Sequence, residues 1–394
     1  MKTLAALLAG VLLVALALAG SSRHRTVKAS RQARSHSEAP HRDWRIGSPV
    51  SFDNLMVFPV LSEQAANADD FITLDEGLRH RQVVITELGA DGRSHRLRSQ
   101  QGADDNAEVN RLAVTNKSGK KLILIAGEMI IGGKQDRIVG HDCIIEATAK
   151  PVPIDVFCVE HGRWSGSESF GQSRSTGEGS ISGSGVGRGG ALGAGSGGGT
   201  GAGRGYNMGG GDPVVMSSVI AMPNVRAKAQ AEKSQTEVWD TVEVTATANS
   251  VQSETGDLKS VYKDKQVSRK LNDYERAFKG MLPMSNIVGI VAAVNGKIIS
   301  ADVFANRRLF QAYWPKMLKS YALEALGATD QQKQGIARSD AEAFLARVEG
   351  ATDTSGELGA YRLVENQSSK DASFELESRS ARRTLIHFNR VSKQ

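Results

Sequence analysis

The stretch from Glu128 to Arg137 concentrates side chains that could bind an anion or move a proton. Arg137 offers a planar, two-pronged donor for phosphate or carboxylate, while Lys134 adds a point charge and Gln135 an amide. Glu128 could serve as a general acid or base if burial raises its pKa. The same residues allow a structural interpretation, in which Glu128 pairs with Lys134 or Arg137 and stabilises a turn.

A second set of polar residues precedes a glycine-rich segment. Glu160, Arg163 and Trp164 could help to form a site beneath that segment, although Trp164 equally suits a cap on the hydrophobic core. Asp302 ends a predicted strand further along the chain, where it could face a ligand or a helix N-terminus. These four residues complete the candidate ligand-binding set.

The two cysteines could form a disulfide bond. Cys143 and Cys158 would lie opposite each other in a hairpin whose turn is only Lys150-Pro151, and an oxidising compartment would then allow the bond. A wider or shifted turn at residues 147–150 would separate them. The sequence leaves both arrangements open.

The sequence predicts neither a metal site nor a cofactor. His141 and His161 flank the cysteines, but their spacing is not one that zinc sites use. Two matches to the dinucleotide fingerprint begin at Gly185 and Gly193. Neither follows a strand or opens a helix, so both reflect the glycine-rich composition.

The charge and hydropathy of the N-terminal residues predict the cellular compartment of the protein. Residues 1–19 contain the apolar run Leu4 to Ala19, which predicts a signal peptide and export to the periplasm or outside the cell. An uncleaved membrane anchor is the alternative, because cations follow the run directly. Residues 20–50 carry much of the +6 net charge and predict a disordered basic tether. Nucleic-acid binding through this tether is a further, less favoured interpretation.

The rest of the chain is predicted to form one domain in two parts. Residues 51–164 and 213–394 contain the apolar patterns of strands and helices, and residues 165–212 form a disordered insert rich in glycine and serine. Strands and helices are segregated rather than alternating. This order predicts the α+β class, with a mainly antiparallel mixed sheet and several packed helices.

Individual elements are also predicted. Residues 109–115 and 121–125 resemble a hairpin, and residues 287–294 and 297–304 flank Asn295-Gly296, the pair best suited to a type I′ turn. Ser234-x-x-Glu237 predicts the start of a helix. Further helices are expected over residues 257–279 and 309–325, with Pro315 kinking or restarting the second.

Several motifs together resemble a bacterial domain family named for its association with ADP-ribosylglycohydrolases and rhodanese-phosphatases. The similarity runs from about Phe52 to the C-terminus, except for the glycine-rich insert. The residues that carry it are Gly127-Glu128-x-x-x-Gly132-x-Lys134-Gln135-x-Arg137, Cys158-Val159-Glu160-x-Gly162-Arg163-Trp164, Asp302-x-Phe304 and Trp314-Pro315-Lys316-x-Leu318-x-Ser320-Tyr321-Ala322-Leu323.

The resemblance implies no established activity, and the family name suggests only a neighbourhood of NAD-derived or phosphate chemistry. We therefore expect a non-catalytic binding or scaffolding module that recognises an anionic small molecule or a protein partner. The alternative is a hydrolase acting on a nucleotide-like or ADP-ribose-like substrate. In that case Glu128 would be the general base, and Lys134 and Arg137 would hold phosphate.

Overall fold

The structure is a computed structural model that describes most of the chain outside its N-terminus and its glycine-rich insert. The N-terminal segment, part of the tether and the insert therefore lie outside the description. None of the described helices is long and apolar enough to cross a membrane. The described residues are 43–64, 66, 68–88, 110–133, 135–162, 219–281, 284–328, 335–346, 351–355, 360–379 and 383–393.

The strands are short in the N-terminal part and long in the C-terminal part. They are β1 (Arg45–Ile46), β2 (Val50–Phe52), β3 (Leu55–Leu61), β4 (Phe71–Thr73), β5 (Val83–Glu87), β6 (Arg111–Asn116), β7 (Lys121–Leu124), β8 (Met129–Ile130), β9 (Arg137–Val139), β10 (Cys143–Ile145), β11 (Val152–Cys158), β12 (Ile287–Val294), β13 (Lys297–Phe304), β14 (Ala351–Ser355), β15 (Tyr361–Gln367), β16 (Asp371–Ser378) and β17 (Thr384–Ser392).

Most of the helical residues follow the insert. The α-helices are α1 (Leu74–Arg79), α2 (Pro223–Arg226), α3 (Gln235–Ala248), α4 (Leu258–Lys263), α5 (Lys265–Phe278), α6 (Arg307–Gly327) and α7 (Arg338–Ala346). A π-helical turn, Ala227–Ala231, continues α2, and a 3₁₀ turn, Lys279–Met281, follows α5.

The largest sheet has nine strands in the order β1-β3-β12-β13-β17-β16-β15-β14, with β2 pairing to the outer side of β3. It joins the chain before the insert to the chain after it, because β3 pairs antiparallel with β12. The smaller sheets are β10-β7-β4 and β5-β6-β11-β9-β8. Mixed, mainly antiparallel sheets with packed helices confirm the predicted α+β class.

The hairpin at Asn295-Gly296 is confirmed. Val294 pairs with Lys297 across the turn, and the two turn residues have φ values of 49° and 75°. Both lie in the left-handed region that asparagine and glycine tolerate best, as a type I′ turn requires. Local chemistry alone fixes this element.

The hairpin predicted for residues 109–125 is wrong. β6 pairs with β5 and β11, whereas β7 pairs with β10 and with β4 in a different sheet. The intervening turn instead changes sheets, and the side chain of Asn116 holds it by donating to the carbonyls of Lys120 and Ile145. The two runs resemble a hairpin because both are apolar, but each needs neighbours from elsewhere in the chain.

The helices follow their sequence signals with two differences. Ser234 caps α3 as predicted, accepting from the Glu237 amide. The helix expected over residues 257–279 is divided at Asp264, whose side chain caps α5 by accepting from the amides of Gln266 and Val267. Pro315 does not restart the last predicted helix, because α6 runs unbroken from Arg307 to Gly327.

We expect Gly289 to tolerate no side chain. A Cβ atom there would lie 2.4 Å from the Asp302 carbonyl oxygen and 2.6 Å from Val303 Cα, both of them backbone atoms of the paired strand. Gly289→Ala should therefore lower the free energy of unfolding by about 1–3 kcal/mol, as overpacking does. Gly280→Ala is the control, since its Cβ would meet nothing within 4 Å. Equal urea midpoints for the two variants would contradict the close approach.

Candidate functional site

Arg137 is committed to an internal partner. Its guanidinium makes a two-pronged contact with Glu87 on β5, with Nη1–Oε1 at 2.9 Å and Nη2–Oε2 at 3.2 Å. Only 1% of Arg137 is exposed. Gly133, with φ of 71°, makes room for this pair, because a Cβ there would lie 2.3 Å from Glu87 Oε1. The guanidinium fork proposed for an external anion thus holds a carboxylate of the same chain.

Glu128 also pairs internally, and the partner that the structure gives it is Lys316. Its Oε1 contacts Nζ of Lys316 on α6, and its Oε2 accepts from the Ile125 amide at 2.9 Å. The same ammonium donates to Asp75 at 3.0 Å and lies 4.6 Å from the centre of the Tyr313 ring. One cation therefore serves two carboxylates and an aromatic face inside the protein.

Burial and neighbouring charges together set the pKa values of Glu128 and Lys316. Removal from water raises the pKa of Glu128 above its ordinary value, against the opposing effect of Lys316. Burial by itself would lower the pKa of Lys316, but the carboxylates of Glu128 and Asp75 outweigh it and raise that pKa. The ammonium consequently stays charged, as a buried group facing two carboxylates should.

The stretch from Glu128 to Arg137, which we call the bend, is joined to the start of the insert. The contacts run from Gln135 and Asp136 to Glu160. Gln135 donates from Nε2 to the Glu160 carbonyl at 3.1 Å, and the Asp136 amide donates to Glu160 Oε2 at 2.9 Å. Asp136 in turn accepts from Lys259 Nζ at 2.6 Å and from the Gly132 amide at 3.0 Å. Asp136 and Lys259 were not predicted as site residues, since Asp136 lies at an unassigned motif position and Lys259 is distant in sequence.

Both chain ends that flank residues 163–218 are anchored on the bend. Glu160 lies at one end, and Ile220 at the other end forms an antiparallel bridge with Glu128. The Met129 amide donates to the Val219 carbonyl at 3.2 Å, and the Ala221 amide donates to the Gly127 carbonyl at 2.8 Å. We call this region, comprising residues 127–133, 135–137, 160–162 and 219–221, the root region. Lys134, Arg163 and Trp164 lie outside the described residues.

The predicted disulfide is not formed. Cys143 pairs in register with Leu124, and Cys158 pairs with Arg137, so the two cysteines belong to different sheets. Both are buried and free. The expected pairing assumed a hairpin across Lys150-Pro151, but β10 and β11 do not pair with each other. Burial raises the pKa of the Cys158 thiol, so this cysteine lacks the character of an activated nucleophile.

Asp302 faces neither a ligand nor a helix N-terminus. It holds Arg226, the last residue of α2, with Nη1–Oδ1 at 3.0 Å and Nη2–Oδ2 at 2.9 Å. Tyr321 and Asn389 donate to the same carboxylate. Burial alone would raise the pKa of Asp302, but Arg226 and His387 outweigh it and lower that pKa well below its ordinary value. Asp302 is therefore a fully ionised, internally satisfied group.

His387 connects this ion pair to the root region. Its Nδ1 lies 2.6 Å from Asp142 Oδ2, and its Nε2 lies 3.4 Å from Asp302 Oδ1. The other oxygen of Asp142 accepts from the Ala126 amide at 2.8 Å. Burial would lower the pKa of His387, yet the two carboxylates raise it to about 9. The imidazole is accordingly a buried cation at neutral pH.

The sequence offered few signals for these partners. Lys316 lies in one of the motifs behind the family resemblance, so it was visible but had no assigned role. His387 lies between Ile386 and Phe388 in β17, and a titratable group at a buried strand position is the kind of signal that could have found it. Arg226 gave no such signal. Within the described residues, no three His, Cys, Asp or Glu side chains are arranged to hold a metal ion.

Two surface cavities lie away from these buried clusters. The larger, about 650 Å³, is lined by residues of α5 and by Lys279. The smaller, about 330 Å³, lies against α7 near Lys370 and Ser392. The charged groups of the buried clusters orient and neutralise one another.

Comparison with known proteins gives a match to one family. The family model described as the ARG and Rhodanese-Phosphatase-superfamily-associated Protein domain (ARPP-1) matches residues 43–181 and 216–391. No curated protein matches this chain significantly, and no solved structure does. The matched segments contain every described residue of the root region. They also contain the residues grouped around the buried ion pair, which are Arg226, Asp302, Tyr321, His387 and Asn389.

Removing the ammonium of Lys316 should destabilise the fold strongly. Lys316→Met leaves the carboxylates of Glu128 and Asp75 without their cation, and we expect the free energy of unfolding to fall by about 3–5 kcal/mol. Lys319→Met, on the same helix, is the control. Its contact with Glu275 is part-exposed, with side chains 30% and 34% accessible, and should be worth less than about 1 kcal/mol. Chemical denaturation that ranked the two variants equally would contradict the assignment.

The buried His387 predicts a stability that declines between pH 6.5 and 9. The folded state retains a proton up to a pKa of about 9, whereas the unfolded imidazole loses it near 6.5. The contribution is complete below pH 6.5, is lost as the pH rises through 9, and amounts to about 3 kcal/mol at most. His387→Gln should flatten this slope, and the exposed His80→Gln should preserve it. Urea titrations from pH 6 to 9.5 test both.

Proposed function

Because this chain belongs to the family of ARG and Rhodanese-Phosphatase-superfamily-associated Protein domains, named for the proteins it is associated with, we propose that it is a non-catalytic binding or scaffolding module. Its recognition surface is the exposed part of the root region, at His161 and Gly162. The partner is a protein, in preference to an anionic small molecule.

The observation that supports this proposal is the internal pairing of the bend. The guanidinium of Arg137 is already bound to Glu87. Asp136 already accepts from the backbone amide of Gly132 and from the ammonium of Lys259. A phosphate or carboxylate ligand would have to displace a carboxylate that the fold already holds. Leaving buried charges without their partners costs several kcal/mol, which opposes such an exchange.

A scaffolding role suits the way the root region is built. Its two flanking chain ends are held by backbone pairing at Glu128 and Glu160, and its side chains are held by buried ion pairs. Such a region keeps one shape, and a rigid surface loses little entropy when a partner binds. Within it, His161 is exposed and packs edge-on against Trp239, with ring centres 4.7 Å apart. An aromatic pair of this kind is a common anchor in protein interfaces.

A hydrolase of nucleotide-like or ADP-ribose-like substrates is the second candidate. The observation that favours it is the raised pKa of Glu128, since a general acid or base must hold its proton nearer to neutral pH. Glu128 is only 1% exposed, however, and it contacts Lys316 directly. A substrate would have to open the packing between the bend and α6 to reach it.

The two candidates predict different responses to ADP-ribose, NAD and inorganic phosphate. We expect none of them to raise the melting temperature, because Arg137 and Lys259 are already paired with carboxylates of the same chain. A ligand at 100 times its Kd would add about 2.7 kcal/mol and raise the melting temperature by several degrees. Stabilisation by ADP-ribose, with turnover that disappears in Glu128→Gln, would favour the hydrolase and contradict the scaffold.

Site-specific photocrosslinking tests the scaffold directly. A photoreactive residue in place of His161 should capture one defined protein in the native cell. The same residue in place of the exposed Lys150 is the matched control and should not capture it. Equal capture at both positions, or none at His161, would remove the root region as the recognition surface.

A further inference from the structure

The exposed surface of the α4–α5 segment is predominantly basic. Between residues 261 and 280 six lysines and arginines are exposed, whereas the side chains of Asp273 and Glu275 are 47% and 34% accessible. We call these six cations the basic face; its members are Lys263, Lys265, Arg269, Lys270, Arg276 and Lys279. A solvated surface normally mixes charges of both signs, so this segregation requires an explanation.

The helix presents these cations as a row. Lys265, Arg269, Arg276 and Lys279 are separated by four, seven and three residues, a spacing that places them on one side of a helix. The fourteen residues of α5 extend over about 21 Å. The opposite side is fixed in the core by buried residues such as Leu271, Tyr274 and Phe278. The row is thus a rigid feature of the surface.

The acidic residues of this segment are occupied. Asp264 caps α5 by accepting from the amides of Gln266 and Val267. Glu275 contacts Lys319 on α6 at 3.3 Å, and Asp273 pairs with Arg276 on the helix itself. Among the described residues, the Asp273 contact is the one ion pair found for the six exposed cations of the basic face.

A small anion is not the natural occupant of this surface. The groove of about 650 Å³ along α5 is lined by Arg269, Arg276 and Lys279 together with Asn272, Asp273 and Glu275. The basic face extends beyond the groove to Lys263 and Lys265. The basic face is therefore long enough to contact an extended, negatively charged surface.

We propose that the basic face docks on an anionic lipid bilayer. Clustered lysines and arginines bind such membranes by attraction to the lipid headgroups. The same chain carries the apolar run Leu4 to Ala19 and a strongly basic stretch at residues 23–45, whose chemistry also suits a membrane surface. Phe52, near the start of the folded part, packs on Tyr274 of α5 with ring centres 4.9 Å apart.

Nucleic acid fits the same face less well. Single-stranded nucleic acid is bound through aromatic side chains that stack on its bases. The exposed positions between residues 261 and 280 contain no phenylalanine, tyrosine or tryptophan. The aromatic residues of α5 and its neighbour α4 point instead into the core.

A fluorescent label placed within the row reports docking separately from any contact made by the N-terminal segment. Asn272→Cys in the full chain supplies one exposed thiol, since Cys143 and Cys158 are 4% and 1% exposed. An environment-sensitive dye there should change its emission with vesicles of equal phosphatidylglycerol and phosphatidylcholine, and should not change with phosphatidylcholine alone. A label at Lys150→Cys should respond to neither.

Neutralising the face should weaken this response. About fivefold in affinity per cation is typical at an anionic membrane, so Arg269→Gln, Lys270→Gln and Lys279→Gln together should raise the midpoint lipid concentration about 100-fold. Lys117→Gln, Lys150→Gln and Lys370→Gln make the same change in net charge at exposed positions elsewhere and should leave the midpoint unchanged within about twofold.

Three results would overturn the proposal. The first is no emission change at position 272 with phosphatidylglycerol vesicles, and the second is equal midpoints for the two triple variants. The third is a larger change with duplex DNA or RNA than with vesicles at the same concentration of anionic groups. Circular dichroism of each variant establishes that it is folded before the comparison is made.

Discussion

The ion pair between Arg226 and Asp302 is the interaction on which the rest of the interior depends. Two opposite charges that are almost fully removed from water are tolerable only when geometry and hydrogen bonding are nearly complete. Ser300, Tyr321 and Asn389 supply the additional hydrogen bonds from three different elements. A helix, two strands and a second helix are therefore fixed relative to one another by a single carboxylate.

This charge cluster continues into the root region. Asp142 joins His387 to the backbone at Ala126, and the next residue, Gly127, lies directly over the Arg226 side chain. A Cβ atom at Gly127 would lie 2.6 Å from Arg226 Cδ, so the positive φ and the missing side chain have one common cause. The glycine that opens the family motif is explained by packing, independently of any ligand.

Sequence reasoning recovered the elements whose causes are local. The Asn295-Gly296 hairpin, the Ser234 cap and the α+β class each follow from residues near one another in the chain. The hairpin at residues 109–125 was wrong, and the arrangement of the two cysteines was left open, because apolar runs and cysteine spacing do not say which strands become neighbours. The partners of Glu128 and Asp302 could not be predicted either, since Lys316 and Arg226 lie far away in sequence and only the tertiary fold brings them close. Polar residues in a motif indicate that their side chains have partners, but they do not identify those partners.

The pairing of β3 with β12 has a consequence for synthesis. Val57 opposes Ala292, so a strand made early must wait for one made late before either is fully hydrogen-bonded. Contacts between such distant segments form slowly, because the chain between them has to be brought together first. Until β12 leaves the ribosome, the apolar face of β3 has no permanent cover. A nascent chain of this protein therefore cannot complete this pairing until residues 287–294 have been synthesised.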